Sequence, residues 1–223
     1  MTSSFALAIF DLDGTLVDSL SDIAAALNRT REYAGLAPLP FAQIAGYFGD
    51  GAAKLLQRAW PEGTSPQILD DLGRHFLATY AQHLHDRTRL FPGLEPILRR
   101  LANSMPLAVL TNKRGDLARS LLAGLGLEHH FTDVIGDGDG FARKPDPAAG
   151  RWLLQRHGVD DPRRALVVGD GLPDLRFARA LGAPSAAVAW GYVARDLLAA
   201  EQPTWLADAP ETLLEIAGIA SDA

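Results

Sequence analysis

The amino-acid sequence predicts an α/β protein with a Rossmann-like, doubly wound parallel sheet and a small all-helical domain inserted into it. Short apolar runs without a polar face alternate with helical patterns over most of the chain, as in parallel sheets that helices cover on both faces. Several of these runs end in acidic residues and glycine. Residues 18–89 instead show helical periodicity alone. We therefore assign residues 1–17 and 90–223 to an α/β core domain and residues 18–89 to a helical domain.

The composition restricts the classes of function that the chain can perform. Its 223 residues are 48% hydrophobic, which is enough for a substantial core. A net charge of -6 argues against binding to the phosphate backbone of nucleic acids, and we expect no membrane partner either. The chain has no cysteine, so it can form neither disulfides nor thiolate sites. Because the first residues show no basic segment with a cleavage signal, we expect a cytoplasmic protein.

The first apolar run, Phe5–Phe10, has the composition of a buried strand. Asp11 and Asp13 follow it, and on an extended strand their side chains would share a face. Two like charges so close together call for a divalent cation or a cationic side chain nearby. Gly14 permits a tight turn whose backbone N–H groups could face an anion. The alternative is a strand that ends in an ordinary Asx/Gly turn.

Helical spacing predicts three helices in the inserted domain. The first begins after Ser19, and the others cover approximately Gly51–Trp60 and Pro66–Asp86. The glycine-rich loop Gly46–Gly51 precedes the second helix. It lacks the spacing and the preceding strand of a dinucleotide-binding fingerprint, and a flexible turn between helices is the simpler interpretation.

Beyond this domain, strands are again predicted to alternate with helices. A helix at Leu94–Asn103 is followed by a strand at Pro106–Leu110, which ends in Thr111 and Asn112. A hydroxyl and an amide at the carboxyl end of a parallel strand can hold a phosphate, although simple N-capping of the next helix is the alternative. The other elements predicted in this half are a helix ending at Gly126, a strand near Asp133–Ile135, a helix from Pro145 to Gly158, strands at Ala165–Val168 and Ser185–Trp190, and helices near Ala194–Ala200 and Pro210–Ile219.

Two further polar clusters fall beside predicted elements. Lys144 immediately precedes a proline that is expected to open a helix, although most surface lysines are merely solvated. Asp170 and Asp174 stand at i and i+4 across a strand-to-helix turn, where they could also complement the helix dipole. The nearby segment 136–140 lacks the later ligands of a calcium loop and is predicted to be a turn.

Taken in order, these clusters resemble the four motifs of the haloacid dehalogenase (HAD) superfamily of phosphotransferases. The motifs are the run from Asp11 to Ser19, the strand ending in Thr111, the Lys144-Pro145 pair, and the run from Gly169 to Asp174. The resemblance implies that Asp11 attacks phosphorus and becomes an aspartyl phosphate. It also implies that Asp13 protonates the leaving alkoxide and later deprotonates the hydrolytic water.

The same resemblance implies a cofactor and a phosphate site. Mg²⁺ would be held by Asp11, by the backbone carbonyl of Asp13 and by Asp170, with Asp174 binding it directly or through water. Three groups would stabilise the transferring phosphoryl group, namely Thr111, the backbone at Asn112, and Lys144.

The inserted helices resemble the cap domain of many superfamily members. In those phosphatases the loop equivalent to Gly46–Gly51 faces the active site and contacts the organic part of the substrate. The resemblance therefore makes Tyr47, Asp50 and Lys54 candidates for substrate selectivity. A helical cap implies a small phosphate ester as substrate, and the chain would be a monomer or a homodimer.

Within the superfamily, the sequence looks most similar to the phosphoglycolate phosphatases. The cap loop, the run Thr111–Lys113 and the tail from Gly182 to Tyr192 carry this similarity. The alternatives are a β-phosphoglucomutase, a pyrophosphatase or a broad sugar-phosphate phosphatase on the same scaffold. A non-catalytic binding module is disfavoured because every charged residue of the four motifs is present.

Overall fold

The structure, a computed structural model, describes residues 4–220, so residues 1–3 and 221–223 of the predicted core domain lie outside the described residues. A six-stranded parallel sheet has the strand order β5-β4-β1-β6-β7-β8, and two short strands, β2 and β3, pair with each other. The strands are β1 (Leu7–Phe10), β2 (Val17–Asp18), β3 (Arg89–Leu90), β4 (Leu107–Arg114), β5 (Asp133–Asp137), β6 (Ala165–Gly169), β7 (Ser185–Val188) and β8 (Trp205–Ala207). The predicted α/β fold with a parallel sheet and helices is confirmed.

Ten α-helices and two short 3-10 helices complete the described chain. The α-helices are α1 (Leu20–Tyr33), α2 (Phe41–Ala45), α3 (Ala52–Ala59), α4 (Pro66–Gln82), α5 (Leu94–Ala102), α6 (Gly115–Gly124), α7 (Ala148–Arg156), α8 (Leu172–Leu181), α9 (Arg195–Ala200) and α10 (Thr212–Ala217). The 3-10 helices are Glu128–His130 and Pro162–Arg164. No helix within residues 4–220 is both long and apolar enough to cross a membrane.

The chain forms two compact units. The core unit contains the described residues up to Asp18 and those from Leu90 onward, and the helical unit is Ser19–Arg89. The core unit holds the six-stranded sheet and helices α5 to α10, whereas the helical unit holds α1 to α4.

The sheet register places three strand ends at one edge of the core unit. Phe10 of β1 lies opposite Val109 of β4 and Val168 of β6. All four residues of β1 are buried, as expected for the central strand of a parallel sheet covered on both faces. Because neighbouring parallel strands point the same way, the polar residues that follow β1 and β6 and those within the end of β4 share this edge.

The strands differ from the sequence prediction mainly at their ends. β1 begins at Leu7 instead of Phe5, and β4 continues through Thr111 to Arg114 instead of ending at Leu110. The extension of β4 pairs with β5, with a register shift between Leu110 and Arg114. Continued pairing satisfies the backbone groups of these buried residues, which explains why the polar side chains do not end the strand.

Several other elements were predicted wrongly or missed. The helix after Lys144 begins at Ala148 instead of Pro145, because the side chain of Asp146 accepts a hydrogen bond from the Ala148 amide at 2.8 Å and organises a turn first. Helix α4 ends at Gln82, four residues before the predicted end at Asp86. Helix α2 and strand β8, with five and three residues, are too short to give a periodic pattern.

Candidate active site

The first carboxylate of the site is Asp11, which follows β1 directly. Its amide donates to the carbonyl of Val168 at 2.9 Å, which ties the residue to the end of β6. Asp11 Oδ1 lies 2.8 Å from Lys144 Nζ, and the same ammonium lies 2.6 Å from Asp174 Oδ1. The Lys144 side chain is 4% exposed, and neither Asp11 Oδ1 nor Lys144 Nζ has a hydrogen bond of good geometry. These two ion pairs therefore hold the buried ammonium.

Asp170 follows β6 and is held through both of its carboxylate oxygens. The Thr15 hydroxyl donates to Oδ1 at 2.8 Å, and the Tyr192 amide donates to Oδ2 at 2.9 Å. The backbone of Gly14 and that of Gly191 lie very close to Asp170, since a Cβ added at either glycine would lie 2.2 Å from the Asp170 side chain. Glycine is thus required at both positions, and Asp170 has little freedom to move.

Asp174 lies in the first turn of α8 and points back toward the sheet. Its Oδ2 accepts a hydrogen bond from the Gly171 amide at 2.9 Å, while Oδ1 pairs with Lys144. A Cβ at Gly169 would come within 2.4 Å of the Asp174 side chain. Pro173 occupies the second position of α8 and does not turn Asp174 away from the other carboxylates.

Three carboxylates of this site lie close enough to bind one cation. Oxygen atoms of Asp11, Asp170 and Asp174 all lie within 4.8 Å of one another. Burial, reinforced by Asp11 and Asp174, raises the pKa of Asp170 to about 8. Burial likewise raises the pKa of Asp174 to about 6, against the opposing effect of Lys144. Burial lowers the pKa of Lys144, but Asp11 and Asp174 outweigh it, and the net pKa is raised.

This donor set fits a hard divalent cation. Mg²⁺ prefers oxygen ligands. The negative charge that three clustered carboxylates can carry exceeds the positive charge of one lysine. The carboxylate of Asp13 does not belong to this cluster. Binding of the metal by the backbone carbonyl of Asp13 stays a prediction.

Asp13 is held by a second lysine. The Lys113 ammonium donates to both carboxylate oxygens of Asp13, at 2.9 and 3.0 Å. The Lys113 side chain is only 5% exposed, so this ion pair is largely shielded from water. Lys113 was not among the predicted site residues, and its position two residues after Thr111 on an extended strand is the signal that could have identified it.

The turn after Asp13 differs from the predicted anion site. β1 ends at Phe10, so Asp11 and Asp13 do not lie on one extended strand. Gly14 forms the expected turn with a positive φ of 86°, but its amide donates to the carbonyl of Val17 at 2.9 Å. The Thr15 amide donates to the Leu12 carbonyl at 3.3 Å. These two amides close the turn and are not available to an anion.

Thr111 and Asn112 lie within β4, so the alternative that they cap a helix is wrong. The N-cap of α6 is Arg114. Asn112 Oδ1 accepts a hydrogen bond from the Lys144 amide at 2.9 Å, and its Nδ2 donates to the Lys144 carbonyl at 3.3 Å. The Thr111 hydroxyl accepts from the Lys113 amide at 3.2 Å. Asn112 thus fixes the backbone of Lys144, a role that the sequence did not suggest.

The three candidates for selectivity lie in the helical unit. Asp50 forms an ion pair with Arg58, and the Tyr47 hydroxyl accepts a hydrogen bond from the Gln43 amide group at 2.7 Å. Lys54 is exposed on α3. Their contact with a substrate stays a prediction.

Comparison with known proteins identifies the family. The family model described as haloacid dehalogenase-like hydrolase matches residues 8–188. The chain belongs to this family. A phosphoglycolate phosphatase of Chromobacterium violaceum is 38% identical over 86% of this chain and 88% of that protein. A phosphoglycolate phosphatase of Vibrio cholerae is 35% identical over 96% of this chain and 97% of that protein.

Solved structures of the family agree with this assignment. A crystal structure described as a predicted phosphoglycolate phosphatase from Haemophilus somnus has a TM-score of 0.89 and 30% identity, and the match covers 97% of this chain and 99% of that one. A haloacid dehalogenase-like family hydrolase from Streptococcus pneumoniae has a TM-score of 0.86 and 27% identity, with 95% and 98% covered. The chain is therefore a phosphoric monoester hydrolase of the haloacid dehalogenase-like family, and its substrate is a small phosphate ester.

Proposed function

We propose that this chain is a Mg²⁺-dependent phosphoglycolate phosphatase that forms an aspartyl phosphate on Asp11. The observation that carries the mechanism is the position of Asp11, whose buried oxygen lies 2.8 Å from Lys144 beside the carboxylates of Asp170 and Asp174. The choice of 2-phosphoglycolate rests on the similarity to relatives of nearly the same length that bear this name.

In the proposed reaction, a carboxylate oxygen of Asp11 attacks phosphorus while the bond from phosphorus to the glycolate oxygen breaks on the opposite side. Asp13, which must take up a proton before this step, gives that proton to the leaving oxygen. In the second half, Asp13 takes a proton from a water molecule that attacks phosphorus, and the bond to Asp11 breaks. Inorganic phosphate leaves, and both carboxyl groups return to their starting states.

Asp11, Asp170 and the backbone carbonyl of Asp13 would hold Mg²⁺. When bound, the cation would neutralise charge on Asp11 and on the phosphoryl oxygens, which otherwise repel an anionic nucleophile. The contacts of Asp174 with Lys144 and with the Gly171 amide support an indirect role, in which Asp174 would order a water molecule.

Thr111, the Asn112 backbone and Lys144 would stabilise the transferring phosphoryl group. The two hydrogen bonds between the Asn112 side chain and the Lys144 backbone support this assignment, because they fix where the Lys144 side chain starts. Lys113 would orient Asp13 for proton transfer through its contacts with both carboxylate oxygens. A fixed acid is an advantage, since proton transfer depends steeply on geometry.

The helical unit would serve as the cap domain that excludes water and selects substrates. Residues 18–89 remain our assignment for it, with Tyr47, Asp50 and Lys54 as candidates for contact with the glycolate part. We retain the expectation of a cytoplasmic monomer or homodimer that binds neither nucleic acid nor membranes.

Steady-state release of phosphate from a panel of small phosphomonoesters and one phosphoanhydride, pyrophosphate, tests this function. The panel contains 2-phosphoglycolate, sugar phosphates and pyrophosphate, each measured with Mg²⁺ and with chelator. We expect Mg²⁺-dependent turnover that is highest on 2-phosphoglycolate and absent in Asp11→Asn. Asp161→Asn is the matched control, since this surface carboxylate pairs only with its neighbour Arg163 and should leave the rate unchanged. Equal turnover across the panel would contradict the substrate assignment, and full activity with chelator would contradict the cofactor.

A further inference from the structure

A second cluster of metal-ligating side chains lies in the core unit and shares no residue with the active site. Glu95 stands in the first turn of α5, and His129 and His130 belong to the 3-10 helix Glu128–His130. Ligand atoms of all three side chains lie within 4.8 Å of one another. No sequence pattern predicts this group, because its histidines lack any recognised zinc spacing.

His130 is the most informative of the three residues, because it is buried and its Nε2 atom has no partner within hydrogen-bonding distance. Its side chain is 3% exposed, and its Nε2 atom has no hydrogen bond. The nearest carboxylate oxygen, Glu95 Oε1, lies 3.6 Å away, which is too long for a hydrogen bond. An imidazole nitrogen buried in this way loses its contacts with water, and the Glu95 carboxylate at 3.6 Å replaces them without a hydrogen bond. A bound cation at this nitrogen would compensate for that loss.

The other two ligands are accessible from solvent. His129 is exposed, and its ring centroid lies 4.0 Å from that of His130. Glu95 is 44% exposed, and its Oε1 atom lies 3.5 Å from Arg99 Nη2, at the limit of an ion pair. A cation could therefore enter from the side of His129 and Glu95.

We propose that Glu95, His129 and His130 form a binding site for a divalent transition-metal ion of the zinc class. Two imidazole nitrogens and one carboxylate oxygen make up three ligands of a four-coordinate site, and water would fill the fourth position. The active-site carboxylates offer oxygen alone, which suits Mg²⁺. The two sites would thus select different cations through the chemistry of their ligands.

Such an ion would connect the start of α5 to the 3-10 helix that precedes β5. Because a metal that binds only the folded state stabilises it by mass action, occupancy would raise the melting temperature. The proposal concerns binding and stability, and it does not depend on the assigned substrate. Failure of the phosphatase assay would leave it unaffected.

Calorimetric titration of the tag-free protein with Zn²⁺ tests the site, in the presence of saturating Mg²⁺ to occupy the active site. We expect about one equivalent of Zn²⁺ to bind and to raise the melting temperature. Glu95→Gln and His129→Ala should weaken this binding by about tenfold or more, in keeping with the loss of one ligand of three. Both residues have accessible side chains, so these variants should fold, which a change at buried His130 would not guarantee.

Two controls separate this site from other zinc binding. His85→Ala removes an exposed histidine of the helical unit and should leave the titration unchanged. Asp170→Asn disables the carboxylate cluster of the active site. This variant should still bind about one equivalent of Zn²⁺, as the wild type does. Loss of Zn²⁺ binding in Asp170→Asn would assign the ion to the active site and overturn the proposal.

Arg99→Gln provides a further test, because it removes the cation that lies closest to Glu95. We expect tighter Zn²⁺ binding in this variant, since Glu95 no longer has a competing partner. Unchanged or weaker binding would count against Glu95 as a ligand. The proposal would be overturned outright if the wild-type protein bound no Zn²⁺ in excess Mg²⁺, or if Glu95→Gln and His129→Ala bound it as the wild type does.

Discussion

The two lysines of the active site face different sets of carboxylates. Lys144 lies between Asp11 and Asp174, and Asp170 belongs to the same cluster, so three carboxylates share one ammonium. Lys113 instead binds both oxygens of a single carboxylate, Asp13. The first region has an excess of negative charge and can accept a cation, whereas the second is balanced. We infer that the first region does the phosphoryl transfer and the second fixes the proton donor.

The largest expected effect comes from Asp11→Asn, which removes the nucleophile from the unbalanced region. We expect kcat to fall by about 10⁴-fold or more, the size of loss seen when a covalent nucleophile is removed. The free energy of unfolding measured with chelator should be unchanged or higher, because one of three clustered charges is lost. Retention of more than about a tenth of the wild-type kcat would rule Asp11 out as the nucleophile.

Lys144→Met should have the next largest effect, on stability as well as on rate. It leaves Asp11 and Asp174 without their ammonium, and breaking a buried ion pair typically costs about 3–5 kcal/mol. Urea unfolding with chelator measures this loss, and Mg²⁺ should restore part of it. The comparison variant is Lys113→Met, which removes this ammonium from Asp13 alone. It should lower the free energy of unfolding by less. An equal or greater loss in Lys113→Met would mean that the two regions do not differ in charge balance.

The kinetic constants of Lys113→Met distinguish a lysine that orients Asp13 from one that binds substrate. If Lys113 only orients Asp13, kcat should fall by about 10- to 100-fold while KM changes little. Lys113→Arg should recover part of the rate, because a guanidinium can also bind both oxygens of a carboxylate. A rise in KM with unchanged kcat would instead indicate that Lys113 binds substrate.

The last prediction is a pH dependence of the free energy of unfolding in the presence of chelator. Burial raises the pKa of Asp170 to about 8 and that of Asp174 to about 6. Between about pH 4 and pH 8 the folded chain therefore holds protons that the unfolded chain has lost, so the free energy of unfolding should fall as pH rises. Denaturant titrations across this range should give a flatter slope for Asp170→Asn. A slope that is equally steep in this variant would show that Asp170 titrates normally.

Much of the active site could be predicted from the sequence because its residues follow strand ends. Asp11 and Asp170 each come directly after a buried apolar run, and parallel strands bring such ends to one edge. Lys144 could be predicted from the motif that it shares with the family, although its distance to Asp11 could not. The alternating pattern of runs also predicted five of the six strands of the main sheet, all except β8.

The parts that were missed depend on contacts between residues far apart in the chain. Lys113 meets Asp13 only because β4 continues past Leu110, and its polar residues looked like the start of a loop. Thr15 and Tyr192, which bind Asp170, lie 155 and 22 residues away from it in the sequence, so no local pattern predicts these contacts. The amides of Gly14 and Thr15, in the turn expected to face an anion, instead donate to the carbonyls of Val17 and Leu12.

Calorimetric titration with Mg²⁺ shows which carboxylates hold the cation. We expect the wild type and Asp13→Asn each to bind Mg²⁺, because Asp13→Asn retains the backbone carbonyl and leaves the cluster of Asp11, Asp170 and Asp174 intact. We expect Asp170→Asn to lose this binding. Mg²⁺ binding that survives in Asp170→Asn but disappears in Asp13→Asn would contradict the division of the active site into an unbalanced and a balanced region.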